Sequence, residues 1–139
     1  MNLIVHRVCL ALLTIVGLSL GAWAYFAPLN WYRTFPGMGM NWLPVLGPYN
    51  EHFVKDVGSL FLGFAVLSAL ALYYLANRPV VVITAISWSV FNVLHLIYHL
   101  GMLHMYGRRD AVLNAVSLSL LLVVSLVLLV PARSPRSPE

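Results

Sequence analysis

Trp88, Asn92, His95 and His99 recur at i, i+4, i+7 and i+11 within a segment otherwise apolar enough to sit in lipid. On a helix these positions form one stripe. An amide and two imidazoles are costly against acyl chains, so the stripe is expected to face other protein. His95 and His99, one turn apart, present two ring nitrogens toward one point, a spacing that metal sites use on helices. His52 and Asp56 are the natural further ligands. That set suits zinc or a non-haem iron ion, and recruitment of Met38, Met40, Met102 or Met105 shifts the preference toward copper(I). Haem fits poorly, because two histidines on one helix face cannot grip opposite sides of one iron.

The same residues support a reading without metal. A pocket of His, Asp and Asn roofed by aromatic residues suits the head of a quinone or a lipid, and histidine titrates near neutrality, where it passes protons. A third reading is a non-catalytic subunit of a membrane complex, or a homo-oligomer. Each polar residue also has a plain structural role open to it. Glu51 with Lys55, and His52 with Asp56, are spaced as ion pairs at a helix start. Asn92 is suited to an interhelical hydrogen bond, His104 to the membrane interface, and methionine to filling gaps. No Gly-x-Ser-x-Gly elbow or phosphate-binding loop is present, so an enzyme is the least supported reading.

The elements that must position these residues follow from composition. Of 139 residues, 61% are hydrophobic and 9% charged. A soluble domain of this size has too little interior for that apolar surface, whereas apolar runs of about twenty residues span a bilayer. The fold class is therefore all-α, with four membrane spans at about residues 3–27, 54–76, 80–103 and 111–130. They form one membrane domain, residues 1–130, packed as an antiparallel four-helix bundle. Gly17-x-x-x-Gly21 in the first span and Ser59-x-x-x-Gly63 in the second are the expected close-packing faces. The proline-broken tail, residues 131–139, is expected to be disordered. The net charge of +4 is thinly spread and forms no nucleic-acid stripe. The single cysteine, Cys9, excludes an internal disulfide and a CxxC centre.

Only the first connection is long. Residues 28–52 hold four prolines and three glycines, which exclude a continuous helix. Trp31, Tyr32, Trp42 and Tyr49 favour the headgroup layer, so this segment is expected to be an ordered loop on, or dipping into, one membrane face. Asn77-Arg78-Pro79 makes a tight turn, with Pro79 in the first turn of the next helix. Basic residues divide evenly between the two faces. Arg78, Arg133 and Arg136 favour cytoplasmic termini in the cell membrane. The opening segment also resembles a secretory signal, with Ala22-Trp23-Ala24 as a cleavage pattern, and cleavage would leave three spans. The apolar run continues through Ala27, longer than a signal core, which favours a retained span.

Alternating chain direction brings distant residues to one level. At 1.5 Å per residue, His95 lies about 5 Å and His99 about 11 Å beyond the middle of the third span. Asp56 and Asn114 lie about 13 Å and about 10 Å from the middles of their own spans, toward the same face. Asp56, His99 and Asn114 are thus expected to share a layer, with Glu51, His52 and His104 above it.

The segments GPYNEHFVKDVGSLFLG, HLIYHLGMLH and VLNAVSLSLLL resemble a group of small four-helix integral membrane proteins of actinobacterial type. In size and layout the chain is more distantly similar to the DoxX-like membrane proteins. The resemblance covers residues 28–130. It implies an integral membrane protein, directs attention to Asn50, Glu51, His52, Asp56, His95 and His99, and carries no chemistry over.

Overall fold

The computed structural model describes residues 3–131. In chain order its elements are α1 (Leu3–Phe26), α2 (Pro28–Thr34), the paired strands β1 (Pro36–Gly37) and β2 (Met40–Asn41), α3 (Glu51–Tyr73), α4 (Arg78–Gly101), a 3-10 turn (Leu103–Met105) and α5 (Arg108–Val127). The architecture is all-α apart from that small hairpin. The helices α1, α3, α4 and α5 are long and apolar enough to cross a membrane, with mean hydropathies of 2.2, 1.7, 2.0 and 2.1. The tail expected to be disordered lies, from residue 132 onward, outside the described residues.

Capping sets the helix starts, and it places them a few residues before the apolar runs begin. The Asn50 side chain accepts a hydrogen bond from the Phe53 amide at 3.2 Å, so α3 opens at Glu51. Asn77 does the same for Val80 at 3.5 Å, and Pro79 falls in the first turn of α4. Each cap satisfies an amide that the helix itself leaves without a partner.

The long helices pack as two close antiparallel pairs. In the first, a Cβ on Gly17 would stand 3.0 Å from Phe61 O, one on Gly21 would stand 2.8 Å from Leu62 N, and one on Gly58 would stand 2.7 Å from Tyr25 N. The backbones of α1 and α3 are therefore in contact, as small residues allow between membrane helices. The face of α3 that does this is Gly58, Phe61, Leu62 and Ala65. The face expected from Ser59 and Gly63 is not used: Gly63 has no atom near its Cβ position, and Ser59 donates to Lys55 O on its own helix. One residue turns a helix by about 100°, which carries Ser59 away from the contact that Gly58 makes.

In the second pair, Asn92 on α4 donates to Leu121 O on α5 at 3.2 Å, and Ser89 donates to Ser125 Oγ at 3.1 Å. The pairs join through Trp88, whose indole N–H donates to Ser68 Oγ at 2.8 Å and whose ring stacks on Phe64. Leu10, Leu13, Val81, Ala85 and Leu128 fill the half of the molecule remote from the α1–α3 connection. At that end the carbonyls closing α5 are taken up by other helices. Arg78 donates to Leu128 O at 2.7 Å and to Leu129 O, and His6 Nε2 lies 3.0 Å from Val130 O.

Candidate ligand cavity

The other half is hollow. Between the two pairs, on the side of the α1–α3 connection, lies a cavity of about 540 Å³. This is within the range of small-molecule sites. Five stretches build its wall. Residues 16–23 of α1 and 57–61 of α3 give one side, 91–99 of α4 and 113–121 of α5 the other, and residues 31–43 close the end.

The closing stretch is a folded plug. Pro28 suits the first turn of α2, whose end delivers Phe35 beside Trp31, their rings 5.4 Å apart. The hairpin then reverses the chain through Gly37, Met38 and Gly39, all at positive φ, which glycine adopts without strain. The Trp42 amide returns to Phe35 O at 2.8 Å. Tyr106, in the turn between α4 and α5, donates to Trp42 O at 3.2 Å. Burial pushes the Tyr106 phenol above its ordinary value, and neighbouring Tyr98 adds to the shift. Trp31 and Trp42 are only 8% and 7% exposed, so they turn inward rather than lie among headgroups as their type suggested. The sequence signal for this was the turn-forming run PGMG between aromatic residues.

The polar groups of the cavity fall into two kinds, and one kind is unpaired. Four buried side-chain atoms lack a hydrogen-bond partner among the described residues: Trp31 Nε1, Trp42 Nε1, His99 Nδ1 and Asn114 Oδ1. All four belong to residues lining this cavity. Buried polar atoms are nearly always paired, and leaving one unpaired costs about 1–3 kcal/mol. His95 also lines the cavity. Its ring stacks on Phe91 at 5.1 Å and meets the edge of His99 at 4.4 Å. Among the described residues, no Asp, Glu, Lys or Arg lines the wall.

Of the residues singled out in the sequence, Asn92, His95, His99, Asn114, Met38 and Met40 line the cavity. Glu51, His52, Asp56, His104, Met102 and Met105 do not. His52 and Asp56 pair with each other at 3.4 Å, with side chains 79% and 61% exposed, and Glu51 pairs with Lys55 at 3.1 Å. Asp56 therefore does not join His99 and Asn114 at the cavity: it shares a helix face with Leu60 at the rim, but its side chain is exposed and pairs with His52. His104 is exposed, its ring nitrogen 3.1 Å from Gly101 O. Among the described residues no three His, Cys, Asp or Glu side chains are grouped so as to hold a metal ion. No family model, curated protein or solved structure matches the chain.

Proposed function

We propose that this chain is a four-span antiparallel bundle of the cell membrane, with cytoplasmic termini, that binds the neutral head of a quinone-type lipid under the α2–hairpin plug. The four-span layout is also what it has in common with DoxX-like proteins, as architecture alone. The observation that carries the reading is that one apolar cavity is lined by the four residues that hold an unpartnered buried polar atom. An indole N–H only donates, so Trp31 and Trp42 call for acceptors in the ligand. A ring bearing carbonyl oxygens supplies them, and the walls of Trp23, Phe35, Phe61 and Phe91 suit its faces. A lining without ionised side chains disfavours a phosphate-bearing head, whose charge would be buried unpaired. A metal centre at His95 and His99 is less well supported, since His52 and Asp56 point elsewhere.

The test uses purified full-length protein in detergent. Lipid extracts analysed by mass spectrometry are expected to hold a near-stoichiometric quinone. A tailless dimethoxy-methyl-benzoquinone is expected to bind in equilibrium dialysis and to raise the melting temperature. Absence of both would end the reading. Stoichiometric zinc, iron or copper, lost from His95→Ala and His99→Ala, would put the metal in its place.

A further inference from the structure

A cavity residue that is also exposed marks a mouth. Five lining residues are exposed: Ser19 on α1, Met38 at the hairpin tip, Leu60 on α3, and Leu113 and Ser117 on α5. Three of them flank the seam between α1 and α5. These two helices meet at the remote end, where His6 reaches Val130 O. Beside the cavity the seam carries two serines and Leu113, all of them exposed. The serine hydroxyls are occupied within their own helices: Ser19 donates to Val16 O at 3.1 Å and Ser117 to Asn114 O at 3.0 Å. The seam thus joins the cavity to the outer surface with small side chains and no free hydroxyl donor. A hydrocarbon chain needs no hydrogen bonds and is compatible with such a wall.

We infer that the ligand has a long hydrocarbon tail that leaves the cavity sideways, into the bilayer, between Ser19 of α1 and Ser117 of α5. This rests on the reading of the cavity as a head-group site and adds the ligand's second half. Ser19 and Ser117 are then determinants of specificity: they bear on the tail more than on the head group.

The experiment compares the tailless benzoquinone with its decyl-tailed analogue. Wild-type protein is expected to bind the tailed probe at least tenfold more tightly. Ser19→Phe and Ser117→Phe should each cut the affinity for the tailed probe by a larger factor than that for the tailless one, removing the advantage. To separate a blocked seam from a misfolded protein, Ser117→Cys in a Cys9→Ala background is purified folded and then alkylated with a bulky maleimide. Unmodified protein should keep the preference for the tail and modified protein should lose it. An equal loss for both probes, an unchanged preference after alkylation, or a loss seen only in Leu60→Phe would overturn the α1–α5 route. Failure of the wild type to bind the tailless probe would count against the head-group site itself, a distinct result.

Discussion

The Tyr106 hydroxyl donates to the backbone carbonyl of Trp42 at 3.2 Å, and the two rings meet edge to face at 6.4 Å. One residue from the α4–α5 turn thereby pins the segment that closes the cavity. Tyr106→Phe keeps the ring contact and removes the donor. It should loosen the plug by about 0.5–1.5 kcal/mol, read as faster hydrogen exchange across residues 38–43 with little change elsewhere. In the wild type the phenol's folded value is raised by burial. Its contribution is therefore complete below the unfolded value, about 10, and is lost as pH rises through the folded one. Protection of the plug, relative to the intrinsic base-catalysed exchange rate, should fall in that alkaline window in wild type and stay level in Tyr106→Phe. Matching profiles for the two proteins would show that the hydroxyl does not hold the plug.

The unpartnered indoles lead to a prediction whose sign depends on whether ligand is present. Trp31→Phe and Trp42→Phe each remove a buried donor that has no protein acceptor. Without ligand, each variant should lose only the packing of a smaller ring, because no hydrogen bond among the described residues is lost. With the benzoquinone, each should bind about 2- to 12-fold more weakly, the equivalent of about 0.5–1.5 kcal/mol for one hydrogen bond. Affinity equal to wild type in both variants would remove the donors from the site.

His52 and Asp56 make the complementary case. They form an exposed pair outside the cavity, and exposed pairs contribute about 0–1 kcal/mol. His52→Ala and Asp56→Asn should leave benzoquinone affinity within twofold of wild type, whereas His99→Phe should reduce it. A strong loss in Asp56→Asn would restore the sequence-based grouping.

The contrast between these residues shows what sequence could reveal. Depth is readable: counting residues along four apolar runs places His95, His99 and Asn114 at the level where the cavity lies. Direction is readable on α4, where Asn92, His95 and His99 share a polar stripe that cannot cheaply face lipid. On α3 it is not, because both lipid and protein surroundings favour apolar side chains and the pattern does not separate them. Asp56 and Gly63 therefore stand on other faces of α3 than the sequence suggests, and nothing in the pattern marks the contact that Gly58 makes. The plug was hidden differently. Tryptophan suits a headgroup layer or a packed cavity, and only the long-range bond from Tyr106 to Trp42 distinguishes them.

Close packing of α1 on α3 carries its own consequence. A methyl group on Gly58 would stand 2.7 Å from Tyr25 N and 2.9 Å from Tyr25 Cβ, and backbone cannot swing away as a side-chain tip can. Gly58→Ala should therefore cost about 1–3 kcal/mol and lower the melting temperature in detergent. Gly63→Ala, on the same helix with open space around it, should be neutral or slightly stabilising, since alanine favours a helix by about 1 kcal/mol over glycine. Equal melting temperatures for the two variants would contradict the assigned face. The same contact bears on signal cleavage, because α1 supplies Gly17, Gly21 and part of the cavity wall. The purified protein is expected to retain α1 by intact mass.

Arg78 joins the ends of two helices. Its guanidinium donates to Leu128 O and Leu129 O, carbonyls in the region that closes α5. A helix leaves its last carbonyls without internal partners, and a cation there also faces the negative end of the helix dipole. Both effects favour Arg over a neutral side chain. Arg78→Met keeps much of the stem but leaves the carbonyls unpaired, at about 1.5–3 kcal/mol for hydrogen bonds from a charged donor. Arg78→Lys retains the charge without the fork that reaches two oxygens, so its loss should be intermediate. The end of α5 lies far from the cavity, so melting temperature should fall in the order wild type, Lys, Met while benzoquinone affinity stays constant. A loss of affinity that tracks the loss of stability would show instead that the cavity and the remote helix ends are coupled.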